Sequence, residues 1–231
     1  MYSIYYIVIG AVVVIMVITL IMANIKKAQQ KSAYLSLDVN AEALKTNQYM
    51  NESLDNNYYF IKHQMNEELI DAFTSAFVEH GVKDEIADQT KNLLKGMATL
   101  GTVRFRTVHT PKYITINGDS IHLFDVDKNG DIDTHLVFDQ GRMSTSTIEE
   151  ILDMRKENVL GNFSLRYYRI SFSTDDKPIR LVISNILTDI NAVPSYDVQD
   201  QIQNFVVANH FLNTLGQKYP HLRVHTDIPS A

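Results

Sequence analysis

The first hydrophobic pattern along the chain has no polar side. From Ile4 to Ala23 the sequence reads IYYIVIGAVVVIMVITLIMA, with no charged residue. About 20 apolar residues at a rise of about 1.5 Å each match the hydrocarbon core of a bilayer. The run predicts a transmembrane helix within residues 1–25. Its leader, MYS, lacks the basic start of a cleavable signal peptide, so an uncleaved anchor is expected. Lys26, Lys27 and Lys31 follow directly, and the positive-inside rule places the C-terminal side in the cytoplasm, with the periplasmic or extracellular side as the alternative. Tyr2, Tyr5 and Tyr6 stand where an interfacial aromatic belt would lie.

Residues 26–57 turn polar, rich in Asn, Gln, Ser and Lys, and predict a tether with short helical pieces. Near Tyr58 a four-residue spacing begins: Ile61, Met65, Leu69, Phe73 and Phe77, closed by Gly81. This predicts a helix, and Ile86, Leu93, Leu94 and Met97 predict a second one ending near Gly101. A helical hairpin over 58–101 is therefore expected to open a soluble domain covering 58–231. From 102 to 190 the period drops to two, in TVRFRTV, KYITI, SIHLFDV and THLVF, which reads as a sheet. NGDS at 117–120 suits a tight hairpin, and Thr174 to Lys177 suits the turn between LRYYRISFS and PIRLVIS. STIEEILDMRKE, from Ser146 to Glu157, reads as a short helix with acids first and bases last. After Pro194, Val198, Ile202, Phe205, Val206, Asn209 and Leu212 mark a closing helix over 194–216.

The expected fold class is α+β: a transmembrane helix, a helical hairpin, an antiparallel sheet of about five to seven strands and a covering C-terminal helix. The order of elements over residues 113–215, a strand meander closed by one helix, resembles pleckstrin-homology architecture, without shared sequence motifs.

Composition narrows the chemistry. A formal net charge of -6 excludes nucleic acid as the main ligand, because a phosphate backbone calls for a concentrated basic face. A basic or amphiphilic protein fits the charge better. The absence of cysteine excludes disulfides and thiolate catalysis. Neither a Gly-x-Ser-x-Gly elbow nor a phosphate-cradling glycine loop occurs, so no catalytic residue is assigned and an enzyme is not expected.

Three groups of residues merit a functional reading. Asp125, Asp127, Asn129, Gly130, Asp131, Ile132 and Asp133 resemble the first nine positions of an EF-hand loop. The twelfth position is Leu136 rather than Glu, and the flanks alternate like strands. The favoured reading is a hairpin loop whose side chains satisfy its own backbone, with Ca²⁺ held by Asp125, Asp127, Asn129, Asp131 and Asp133 as the alternative. Among eight histidines, His122 and His135 flank this loop on neighbouring strands and can face one another, although no zinc-binding spacing is present. Arg104, Arg106, Arg166, Tyr167, Tyr168, Arg169 and Arg180 form a basic, aromatic strand set, the composition enriched at protein interfaces.

These readings converge on a single-pass, membrane-anchored, non-catalytic module of the inner or plasma membrane that binds another protein. An immunity-type inhibitor of a toxin and an assembly adaptor of a bacterial membrane complex are forms of that class. The alternative is a module responsive to lipid or Ca²⁺ through the 125–133 loop or the arginine strands.

Overall fold

Seven strands form one antiparallel sheet in the computed structural model, which describes residues 2–78, 112–127, 131–160, 163–175, 177–188 and 198–229. They are β1 (Ala72–Val78), β2 (Lys112–Asn117), β3 (Ser120–Val126), β4 (Ile132–Phe138), β5 (Thr147–Glu150), β8 (Tyr167–Phe172) and β9 (Ile179–Ser184), in the spatial order β4-β3-β2-β1-β9-β8-β5. A separate two-stranded ribbon pairs β6 (Lys156–Leu160) with β7 (Phe163–Leu165). The α+β class, the seven-stranded sheet and the C-terminal helix agree with the expectation.

Both anticipated hairpins form where turn chemistry directs them. β2 and β3 pair Asn117 with Ser120, leaving Gly118 and Asp119 as a two-residue loop. Gly118 takes a φ of 52°, the positive value that a type II′ turn needs at its first central position. β8 and β9 are in register at Phe172 and Ile179, on either side of the 174–177 turn.

The segment expected to be a helix from Tyr58 is mostly not one. Helix α4 (Tyr59–Gln64) stops after one and a half turns, Asn66 and Glu67 adopt positive φ, and the chain enters β1. The reason lies in the spacing: four residues are about one helical turn but also two full strand alternations, so Phe73 and Phe77 share a face either way. β1 is the middle strand, buried on both faces from Ala72 to Phe77, and its Ala, Thr and Ser let neighbouring layers approach. A pleckstrin-type meander confined to 113–215 is thereby corrected, since its central strand comes from outside that range. The second expected helix and the TVRFRTV strand lie outside the described residues.

The 26–57 tether is replaced by helical structure packed into the domain. Helix α1 (Tyr2–Leu35) runs unbroken past the lysines, followed by α2 (Val39–Ala43) and α3 (Thr46–Asn56). Asp38 caps α2 by accepting from the backbone N–H groups of Asn40 and Ala41. The polar average of the segment conceals a narrow stripe in which Thr46, Tyr49, Met50, Ser53 and Leu54 are all buried. Ser146 to Glu157 is also corrected: β5 lies at the sheet edge, where Glu149 faces Arg169 across the strands. Beyond it come a 3₁₀ turn at Leu152–Met154 and then β6.

Two apolar layers sandwich the sheet. On one side Phe73, Tyr113 and Phe124 pack against Tyr34, Tyr49, Leu54, Tyr58 and Ile61. On the other, Ile114, Ile116, Ile121, Tyr168, Ile170 and Phe172 pack against Phe211, Leu212 and Leu215. Helix α5 (Gln140–Met143) adds Met143 to this second layer. Helix α6 (Val198–Lys218) serves both layers, Phe205 and Val206 entering the first and its C-terminal half the second. At Gly216 a Cβ would come within 3.1 Å of the Arg223 Cα, so glycine permits the tail to fold back closely on α6.

Helix α1 has two contrasting ends. Tyr34 is 1% exposed, with its ring edge-on to Phe205 at 6.0 Å. Between Val12 and Met22 the large apolar side chains are 49–61% exposed. Among the described residues no helix is long and apolar enough to cross a membrane. In α1 the described side chains begin at Gly10. From there to Ile25 the rise amounts to roughly 24 Å, short of a hydrocarbon core of about 30 Å.

Candidate functional site

Strand alternation divides the arginine and tyrosine set rather than gathering it. Tyr167 and Tyr168 point to opposite faces and both are buried, which raises their hydroxyl pKa values, that of Tyr167 to about 12. Tyr168 donates to the His225 carbonyl at 2.9 Å and so fastens the tail. Neither ring is available for docking. Arg166 is also withdrawn: its side chain is 11% exposed and 3.5 Å from both Glu150 oxygens, with its Nε 4.0 Å from Asp227.

That guanidinium belongs to a polar network holding the tail to the sheet. Asn185, fully buried, accepts from the Arg166 backbone N–H and donates to the Ser164 carbonyl and to Asp227. Asn209, equally buried on α6, donates to the Asn185 carbonyl and accepts from the Asp227 backbone N–H. Arg155 Nε meets Glu157 at 2.6 Å, and Ser164 donates to the same carboxylate. The Ser164 hydrogen bond first, and Arg155 after it, hold the Glu157 carboxyl below its ordinary pKa. The sequence signal for this network was Asn209 standing within an apolar stripe.

Among the described residues, what remains of the basic set at the surface is Arg169 and Arg180. The register places both on the same face, with Arg169 opposite Val182 and Arg180 opposite Ser171. Arg169 pairs with the exposed Glu149, and Arg180 is itself exposed. Arg104 and Arg106 lie outside the described residues.

The acidic loop directs much of its chemistry inward. Asp127 accepts from the Asp131 backbone N–H at 3.0 Å, while the Asp127 N–H donates to the Asp131 carbonyl at 2.8 Å. Asp125 forms an ion pair with Lys112 on the neighbouring strand. A bulge between Asp125 and Val126 re-aims the loop entrance. Asp133 is exposed, and Asn129 and Gly130 lie outside the described residues. Among the described residues no group of three or more His, Asp, Glu or Cys side chains is placed to hold a metal ion.

On the strands that carry this loop, His122 Nδ1 and His135 Nε2 stand 2.9 Å apart. Burial lowers both pKa values, and at His122 the nearby His135 adds to the lowering while Glu68 opposes it. A shallow depression elsewhere is lined by Asp55, Tyr59, Lys62, His63 and Glu67, with Lys62 and Asp55 paired across it at 2.6 Å.

No protein-family model, curated protein or solved structure matches the chain. The chemistry is therefore set by geometry alone. Among the described residues, the buried charges of Arg166 and Asp227 are engaged in holding the tail to the sheet.

Proposed function

We propose that the chain is a single-pass membrane-anchored, non-catalytic module that binds another protein, as an immunity-type inhibitor or an assembly adaptor does. The observation that carries this reading is the exposed stretch of α1. Large apolar side chains from Val12 to Met22 are half exposed around the helix, so packing within the domain gives them no burial. A bilayer removes that surface from water at about 25 cal/mol per Å². The Thr19 hydroxyl bonds back to the Ile15 carbonyl at 2.5 Å, which satisfies a polar group inside the helix as a lipid environment demands.

The domain follows the anchor without a flexible tether. From Met22 to Tyr34 the helix rises roughly 18 Å, so the domain is held close to the headgroups instead of searching on a string. The net charge of -6 favours a basic partner surface, and Lys26, Lys27 and Lys31 favour a cytoplasmic domain. Among the described residues of the basic set, the exposed Arg180 and Arg169 with its Glu149 partner are the ones that would contact a partner.

The test uses the full chain in its native membrane, with photocrosslinkers placed at Ser171, the register partner of Arg180, and at the exposed Lys177. The expected result is one discrete protein adduct, lost in an Arg169→Glu, Arg180→Glu variant that still folds. An adduct pattern unchanged by the two substitutions, or only lipid adducts at these positions, counts against the reading. Adding Ca²⁺ to the same membranes checks the alternative module: ion-dependent adducts abolished by Asp127→Asn would favour it instead.

A further inference from the structure

Strands β3 and β4 bring two imidazoles to one point. In register, His122 faces Val137 and Phe124 faces His135, so both histidines and Phe124 share one face of the sheet. The imidazole rings are 5.1 Å apart at 29°, close to parallel. Phe124, fully buried, lies 4.5 Å from the His135 ring and 6.3 Å from that of His122. It is a fixed floor that limits how either imidazole can turn.

Between His122 Nδ1 and His135 Nε2, only 2.9 Å apart, there is room for one proton. A neutral imidazole can carry its hydrogen on either ring nitrogen. When both carry it on the outward nitrogen, two lone pairs point at the same position. We propose that this position is a binding site for a borderline divalent transition ion, Zn²⁺, Ni²⁺ or Cu²⁺, held by His122 Nδ1 and His135 Nε2.

The adjustment is a separation and a turn. The rings now face almost head-on, with nitrogens 2.9 Å and centroids 5.1 Å apart, whereas two nitrogens bound at about 2.0–2.1 Å to a tetrahedral ion stand about 3.3 Å apart with their lone pairs converging, so each ring swings within the plane set by Phe124 as the pair opens by roughly 0.4 Å. Imidazole nitrogen selects this class of ion, whereas Ca²⁺ takes oxygen ligands. Thr115 is the cross-strand neighbour of His122 on its other side, and its buried hydroxyl has no hydrogen-bond partner among the described residues. Glu68, which acts on His122 electrostatically and accepts from Asn117 at 2.8 Å, supplies negative charge nearby. The lowered proton affinity of both rings keeps them neutral and ligating near pH 7.

Two protein nitrogens and water make an open, exchangeable site rather than a closed structural one. Its consequence is a clamp across β3 and β4, the latter an edge strand of the sheet.

Zn²⁺ is titrated by calorimetry into the full chain in detergent micelles after chelator treatment, and Co²⁺ absorption reports the ligand type. The expected result is saturable binding of one ion per chain and a rise in unfolding temperature with Zn²⁺. His135→Gln, at an exposed position, should weaken binding by at least about tenfold, since even the loss of a partner behind a ligand costs that much. The His122→Asn, His135→Gln variant should lose both the heat and the stabilisation, while exposed-site control His225→Gln retains them. Absence of saturable binding in the wild-type chain overturns the proposal. So does binding that survives in the doubly substituted chain; because His135→Gln changes an exposed residue, its unfolding temperature in chelator shows whether folding is intact.

Discussion

The two ends of α1 are one continuous helix in opposite circumstances. Near its start, Val12 to Met22 find no cover within the domain, whereas Tyr34 is sunk beneath Phe205 with 1% of its surface exposed. The same backbone therefore passes from open to packed surroundings, and the change occurs across the lysines at 26, 27 and 31. Continuity makes the exposed stretch part of the fold: the same helix contributes Tyr34 to the core, and under the proposed anchoring it sets the distance from bilayer to sheet.

Four outcomes would sharpen or break that comparison. The largest belongs to the buried end. Tyr34→Ala empties an aromatic position in the first layer and should cost about 4 kcal/mol of domain stability, measured by thermal unfolding in micelles, with membrane association unchanged. Next comes the exposed end: Ile18→Arg should disfavour insertion by about 3 kcal/mol and shift chain to the soluble fraction, with the domain's unfolding temperature preserved. If either substitution affected both readouts equally, the division between the ends would fail.

A smaller effect tests how Tyr34 is held. Its hydroxyl is buried without a hydrogen-bond partner among the described residues, and burial raises its pKa. Tyr34→Phe should therefore be neutral or stabilising by about 1 kcal/mol, and a clear loss of stability would show that the hydroxyl is engaged. The smallest effect is a pH dependence confined to the domain. His122, His135 and His210 have pKa values lowered chiefly by burial; His122 faces His135 and Glu68, and His210 hydrogen-bonds the Asp71 carbonyl at 2.9 Å. Below the ordinary histidine value of 6.5 the unfolded chain takes up protons first. Stability is complete above that pH and declines as pH falls through the lowered folded values, while membrane retention stays constant. Unfolding temperatures measured from pH 7.5 to 5 check this, and a rise on acidification would reverse the sign.

Legibility in the sequence followed how many structures each pattern allows. NGDS admits little besides a tight hairpin, and the alternating flanks of the acidic loop located His122 opposite the strand of His135. The Ile61 to Phe77 spacing allowed either a helix or a strand, and only pairing of β1 with both β2 and β9 decides between them. In residues 26–57 the buried stripe includes Thr46 and Ser53, so hydropathy averaging hid it. The arginine and tyrosine set was legible as strand but not as surface: Tyr168 and Arg166 are covered by the tail, Tyr168 also by α6, and Tyr167 packs with Phe77, all distant in sequence. Asn209 was the one local sign that a polar network crossed the core.

The central claim is that the exposed end of α1 lies in lipid while the buried end holds the domain to it. Alkaline carbonate washing of membranes carrying the full chain tests this most directly. The wild-type chain is expected to stay in the pellet, and Ile18→Arg to enrich the supernatant with folded domain. Release of the wild-type chain by the wash would contradict it.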